Sequence, residues 1–314
     1  MSNKWDNKKG LGAAGAIALL AAGMVPQRAD ALIFLATANA SFNTTAPTGD
    51  LAGSGWELQG RWGSFLGTPV APSWFLAAKH VGGSVGQVFT LNGVNYVTVA
   101  RVNHPTADLT LWKVSSTFPS YATLYTSLDE VGKPLMVYGR SAARGAEVNV
   151  EKATPTALRG WRWGGAGMGT VRWGQNVVQG AATLGGAQYL IASFDRLGGP
   201  NEATLATGDS SGGVFIREGT AWKLAGINYA AQADFALTAT GTAFKAAIFD
   251  AGGLFAGATV GQRTPVRDGA VDVPASWLAT RVSAYATWIR STTGLSGSSA
   301  GTSSVKTANQ PRGQ

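Results

Sequence analysis

Ala206-Thr207-Gly208-Asp209-Ser210-Ser211-Gly212-Gly213-Val214-Phe215-Ile216 is the stretch on which the reading of this chain turns. Glycines flank an Asp-Ser pair, and glycine lets the backbone turn sharply and lets another group come close. Valine, phenylalanine and isoleucine follow at once and read as a strand leaving that turn. A serine held there is presented beside bare backbone N–H groups. The same residue types also fill ordinary loops between strands, because Gly, Ser and Asp suit turns for backbone reasons alone. The stretch by itself leaves both readings open, and the rest of the chain decides between them.

Composition narrows the field. The chain has 314 residues, of which 43 are glycine, 45% are apolar and only 13% are charged. Length of this order supports one large domain or two smaller ones with well-buried cores. Sparse charge and abundant glycine suit short, turn-rich β structure better than helices with charged outer faces. No cysteine is present, so there is neither a disulfide framework nor a thiolate metal site. Two histidines, His80 and His104, are too few for a multi-histidine metal centre, and neither a metal nor a cofactor is expected. Each end carries a local +2 of the net +8, which leaves about +4 on the body. No dense Lys/Arg cluster appears, so nucleic acid is not an expected partner.

Met1–Gly10 is polar and basic, Leu11–Val25 is apolar apart from its glycines, and Ala29-Asp30-Ala31 supplies a small-residue cleavage site. This three-part layout predicts a secretory signal peptide over 1–31, cut after Ala31 or, as the second choice, after Ala40. The apolar run is too short for a spanning helix, so a secreted or periplasmic protein with no membrane span after signal removal is expected.

Short strands follow from Leu51 onward. Gln87–Leu91 and Val94–Val99 flank Asn92-Gly93, the strongest short hairpin signal a sequence carries. Trp74–Ala78, Leu109–Val114, Lys133–Gly139, Tyr189–Phe194, Val214–Ile216, Trp222–Ile227 and Phe235–Thr238 continue the pattern, which points to barrels or sandwiches. Trp161-Arg162-Trp163 and Arg172-Trp173 read as cross-strand aromatic pairs on a half-exposed hairpin, in preference to a nucleic-acid or carbohydrate surface. Helical spacing of Trp277, Arg281, Tyr285 and Trp288 predicts one helix over Pro274–Ile289. From residue 291 onward the chain is Ser/Thr/Gly-rich and aperiodic, the composition of a disordered tail.

A serine hydroxyl needs a base to take its proton and a third group to orient the base. His80 ends a buried apolar run that breaks into glycines, whereas His104 precedes a proline in a turn and could simply cap it. The order His80, Asp108, Ser210, each at a strand edge, is what makes these residues candidates together.

That order resembles the trypsin/chymotrypsin-like serine proteases. Leu76-Ala77-Ala78-Lys79-His80 is similar to the family's Thr-Ala-Ala-His segment, His104-Pro105-Thr106-Ala107-Asp108-Leu109-Thr110-Leu111 to its His-Pro…Asp-Leu-x-Leu segment, and Gly208-Asp209-Ser210 with Gly212-Gly213 to Gly-Asp-Ser-Gly-Gly. Val282-Ser283-Ala284-Tyr285-Ala286-Thr287-Trp288-Ile289 resembles its C-terminal helix. The resemblance implies an all-β protein of two packed antiparallel six-stranded β-barrels (trypsin-like) with a C-terminal α-helix. The expected divisions are a signal peptide at 1–31, an N-terminal segment at 32–49, a first barrel at 50–130, a second barrel plus helix at 131–290, and the tail at 291–314.

The function it implies is a secreted serine endopeptidase acting on a polypeptide substrate, expected to be a monomer. His80, Asp108 and Ser210 would be catalytic, and the backbone N–H groups of Gly208 and Ser210 the oxyanion donors. Thr204, Asn228, Tyr229 and Ala230 would bind substrate. Ser211 stands where the family has glycine and so competes for the nucleophile's place. Ser210 is preferred because Gly208, two positions before it, leaves room for a carbonyl oxygen. Lys79 next to the base is a departure, and the usual partner of Asp209, a new N-terminus of the Ile-Val-Gly-Gly kind, is missing near Leu32-Ile33-Phe34. No acid occupies position 204, although Glu202 is close, which points to small or apolar side chains in the pocket. The rival readings are a catalytically silent binding protein of the same fold for a glycan or envelope partner, and an esterase side activity of the same triad.

Overall fold

Period-2 burial organises this chain around two barrels. The computed structural model describes residues 32–140, 144–151, 157–164 and 169–295. The expected signal peptide, and the tail from residue 296, lie outside the described residues. A short strand, β1 (Ile33–Phe34), comes first, followed by β2 (Gly60–Trp62), β3 (Phe65–Ala71), β4 (Trp74–Ala77), β5 (Val88–Leu91), β6 (Val94–Asn103) and β7 (Thr110–Val114). Strands β2 to β7 pair antiparallel in the order β2-β3-β4-β7-β6-β5, and β5 returns to β2, so the barrel closes. At the β5–β6 turn both central residues, Asn92 and Gly93, have positive φ, which is the primed turn expected there. Aromatic side chains fill the interior: Phe75 stacks on Phe89 with ring centres 4.1 Å apart, and Trp62 meets Trp112 at 4.7 Å.

After β8 (Pro134–Gly139), the hairpin β9 (Arg144–Val150) and β10 (Ala157–Trp163) leaves for a separate sheet. The chain returns with β11 (Arg172–Val177), β12 (Gly180–Leu184), β13 (Ala187–Ser193), β14 (Ala203–Thr204), β15 (Gly213–Glu218) and β16 (Ala221–Ala231). Then β17 (Asp234–Ala236), β18 (Phe244–Ile248), β19 (Phe255–Ala256) and β20 (Thr264–Pro265) join β9 and β10, and β21 (Ser276–Arg281) leads into helix α1 (Val282–Thr293). The second barrel has the order β11-β8-β15-β16-β21-β13-β12. Only Val178 and Gln179 separate β11 from β12, so the two ends of that order are one bent stretch of chain. Counted as one strand, it pairs with β8 at one end and β13 at the other, and the ring closes with six members.

Alternate residues of the barrel strands face different cores, as strand geometry requires. In β8, Leu135 and Val137 point into the second barrel, while Met136 and Tyr138 join Leu76 and Leu111 of the first barrel in a shared layer. In β15 and β21, Phe215 and Leu278 face that layer, whereas Val214, Trp277 and Ala279 face the barrel interior. Strands buried on both faces have no polar alternation. This is why the helix predicted over Pro274–Ile289 is only half a helix: Ser276–Arg281 is β21, paired with β13 and β16. Helix α1 begins at Val282, seals the shared layer with Tyr285, Ala286 and Ile289, and runs past the expected boundary at 290 to Thr293, where Gly294 caps it.

The third sheet, β20-β19-β17-β18-β10-β9, was not legible from the sequence. Three of its cations stack on its own rings: Arg144 over Trp161, Arg162 over Phe244 and Lys245 over Trp163. Trp161 and Trp163 do sit on a hairpin, but Trp173 belongs to β11 of the second barrel. Among the described residues, no helix is long and apolar enough to cross a membrane.

The segment 32–49 packs on the second barrel. Ile33 and Phe34 pair with Thr204 and Ala203, and Arg172 donates to the carbonyls of Asn39 and Phe42. Phe34 is buried, edge-on to Phe42 at 5.0 Å and beneath the Arg172 guanidinium. Replacing Phe34 by alanine leaves a cavity and costs about 3–5 kcal/mol in urea unfolding. Leu197→Ala, at a side chain 94% exposed, stays within about 0.5 kcal/mol. Equal midpoints for the two variants would show that the N-terminal strand adds nothing to stability.

Candidate active site

Strands β4 and β7 are antiparallel neighbours, with Ala77 opposite Thr110. That register sets the residues leaving β4 beside those entering β7. Lys79–Val81 forms one turn of 3-10 helix with His80 at its centre. Asp108 ends a tight loop in which His104 Nδ1 accepts the N–H groups of Thr106 and Ala107. Asp108 then holds His80 twice: Oδ1 accepts the His80 backbone N–H at 2.8 Å, and Oδ2 lies 2.6 Å from the ring Nδ1. The proton is thereby placed on Nδ1, leaving Nε2 as the acceptor facing the second barrel.

Nε2 lies 2.8 Å from Ser210 Oγ. The imidazole thus reaches Ser210, while the Ser211 hydroxyl points elsewhere and accepts the Ala78 N–H at 2.9 Å. Ser210 occupies the turn between β14 and β15, and several groups fix that turn. Gly208 has φ 105°, a conformation for glycine. A side chain at Gly212 would meet the Tyr138 carbonyl oxygen at 1.9 Å, so only glycine allows this approach. Ser211 has φ 71°, which costs a non-glycine residue about 1 kcal/mol or more. The wholly buried Asp209 accepts the N–H groups of Arg140 and Ala206, at 2.9 Å each. Burial pulls the Arg172 guanidinium below its ordinary pKa, and the charge of Asp209 acts against that shift.

Asn228, expected against substrate, is instead wholly buried and turned into the fold. Its side chain donates to the carbonyls of Tyr138 and Asp209 at 2.7 and 2.8 Å, and its backbone pairs with Ser211 and Gly212. Beyond it, Tyr229 sits at a register shift and Ala230 and Ala231 pair with β21; β15 ends its register at Ile227, so one edge of this segment is left without a strand among the described residues. Tyr229 stands edge-on to His80, ring centres 5.9 Å apart, and against Tyr189 at 4.7 Å. Ala230 pairs with Leu278, and Thr204 is buried opposite Ile33. The N–H groups of Gly208 and Ser210 donate to no backbone acceptor among the described residues. A hydroxyl, a base and two available donors at one junction are the parts needed for attack on a carbonyl.

The remaining polar residues have other work. Lys79 donates to the His104 carbonyl at 3.2 Å, and the His104 ring packs between Tyr285 and Trp288. Burial first, and Lys79 second, lower the His104 pKa. No group of three or more His, Asp or Glu able to hold a metal occurs among the described residues. Sequence reasoning missed the roles of Asn228, Ser211 and Arg140; the first two carry a signal only as polar residues beside glycines, and Arg140 acts through its backbone.

No protein-family model and no curated protein matches this chain. Among solved structures it is similar to neuropsin, a serine protease expressed in the limbic system of mouse brain, with 12% identity, a TM-score of 0.39, and coverage of 76% of this chain and 96% of that one.

Glu202, two residues before Thr204, turns its carboxyl away to Asn176 Nδ2 and the Asp195 N–H, at 2.9 and 3.0 Å. Burial pushes its pKa from an ordinary 4.5 up to about 8, in spite of those two donors. Between these values the folded chain keeps a proton that the unfolded chain has released. The stabilisation is therefore complete below pH 4.5 and is lost as pH rises to about 8, at up to about 1.4 kcal/mol per pH unit. Glu202→Gln keeps the shape without the titration, so its urea midpoint falls less than the parent's between pH 5 and pH 8. Parallel declines in both proteins would remove Glu202 as the source.

Proposed function

We propose that this chain is a serine endopeptidase that hydrolyses peptide bonds through an acyl-enzyme intermediate. One observation carries the reading: Ser210 Oγ, the His80 ring and the Asp108 carboxylate form a single hydrogen-bonded chain, 2.8 and 2.6 Å long in its two links, where the barrels meet. Ser210 Oγ bonds to the substrate carbonyl carbon as its proton passes to His80 Nε2. The resulting oxyanion takes the N–H groups of Gly208 and Ser210. Collapse breaks the peptide bond, and the departing amine leaves with the proton from His80. Water then attacks the ester, gives a proton to His80, and restores Ser210 as the acid product leaves.

The substrate enters as an added strand along the unpaired edge of Tyr229–Ala231, using main-chain hydrogen bonds for affinity. With Thr204 at the pocket floor and the Glu202 carboxyl occupied elsewhere, the pocket takes small or apolar side chains. All three reacting groups come from one chain, in keeping with a monomer. The silent-binder reading gains no support, because the arginines beside the tryptophans are stacked on rings of this chain, Arg162 on Phe244 and Arg172 on Phe34.

Export is part of the same proposal. Cleavage after Ala31 keeps Leu32, Ile33 and Phe34, which are fully buried, whereas cleavage after Ala40 would remove β1 altogether. The mature protein therefore begins at Leu32, and N-terminal sequencing of the secreted form reads Leu-Ile-Phe. A start at Ser41 would refute that assignment.

A fluorophosphonate probe labels the parent protein and not Ser210→Ala, whose peptide hydrolysis falls on the order of 10⁶-fold. Asp108→Asn falls about 10⁴-fold with the fold intact. An active Ser210→Ala protein would sink the assignment.

A further inference from the structure

Ser211 combines two facts that neither the fold nor the proposed chemistry absorbs. Its backbone sits at φ 71°, where glycine would be at ease, and its wholly buried side chain is retained there all the same. Its hydroxyl oxygen accepts the buried N–H of Ala78 at 2.9 Å. Ala78 is the residue between the end of β4 and the 3-10 turn that carries His80. Ser211 itself follows the serine that His80 faces, and its own N–H is fixed to the Asn228 carbonyl at 3.0 Å. One hydroxyl thus links the root of the base's turn, in the first barrel, to the nucleophile's turn, in the second.

Two other polar links between the barrels engage different segments of the first barrel. Gln59 Oε1 accepts the Gly213 N–H at 3.0 Å, and Ser54 Oγ meets Tyr138 Oη at 2.8 Å. Neither touches the segment that bears His80. Without the Ser211 oxygen, the Ala78 N–H would be left unmade in an apolar layer, and the turn would shift to satisfy it. A displacement of that segment moves Nε2 relative to Ser210 Oγ, the separation on which proton transfer depends.

Resting on the endopeptidase reading of this site, we propose that Ser211 is a positioning residue: its hydroxyl ties the His80 turn to the Ser210 turn and sets the distance between base and nucleophile. It touches no substrate and transfers no proton.

Two variants separate this role from a purely structural one. Ser211→Ala and Ser211→Gly both remove the oxygen, but only glycine also relieves the left-handed backbone. The expected result is a loss of kcat by about 10- to 100-fold in both, of similar size, with KM within about twofold of the parent. Thermal unfolding, by contrast, places the glycine variant above the alanine variant. In both, the low-field proton resonance of His80 Nδ1–H shifts or broadens. Parent-like kcat in Ser211→Gly, or losses that follow the order of stability, would overturn the proposal. If Ser211→Ala fails to fold, the glycine variant still decides it. Should the parent itself be inert to the fluorophosphonate probe and to a peptide library, the endopeptidase reading fails. The His80 resonance then judges the tether alone, and an unchanged signal in the folded variants rejects it.

Discussion

Leu76 and Leu111 from the first barrel meet Met136, Tyr138, Phe215 and Leu278 from the second in one dry layer, and helix α1 closes it with Tyr285 and Ile289. The rest of the molecule depends on this contact. It fixes the distance between the two barrels, and it excludes water from the polar groups buried within it. A buried polar group without a partner is costly, so the Ala78 N–H, the Gly213 N–H and the Ser54 and Tyr138 hydroxyls each find one across the junction. The candidate site occupies the edge of the same layer. His80 and Asp108 come from one barrel and Ser210 from the other, so their geometry inherits the rigidity of the apolar contact beneath them.

Three buried carboxyls near this edge show how local surroundings assign different work to one functional group. Asp108 spends both oxygens on a single residue, one on the His80 backbone and one on its ring, and so fixes position and tautomer together. Asp209 accepts two backbone N–H groups and shapes the turn that presents Ser210. Glu202 also accepts two donors, yet burial outweighs them and favours its protonated form. Donor count alone does not predict ionisation; the balance between hydrogen bonds and lost hydration does.

Much of this was legible in the sequence because it rests on local rules. Asn92-Gly93 demanded its hairpin, the glycine-flanked Asp209-Ser210 demanded a turn, and the apolar runs demanded sheet. The grouping of His80, Asp108 and Ser210 was accessible as well, through their order along the chain and the resemblance of the motifs around them. What escaped was information carried by pairing over long separations. The third sheet contains two-residue strands, β19 and β20, too short for any period to register. Ser276–Arg281 is covered on both faces, so its spacing imitated a helix until β13 and β16 were seen on either side. The partners of Asp209 include backbone N–H groups, which every residue offers and no composition reveals.

The pairing of β1 with β14 has a consequence for the order of assembly. Ile33 and Thr204 are joined across more than half the chain, and the second barrel against which they lie is complete only when β21 is in place. The ribosome makes β1 long before its partner exists. The first described segment to be synthesised is therefore among the last to dock, and until it does, the strand leading to Ser210 has one bare edge. Closing so long a loop is slow compared with forming the β5–β6 hairpin. The maturing chain therefore passes through a period in which the first barrel is built and the Ser210 turn is not yet set.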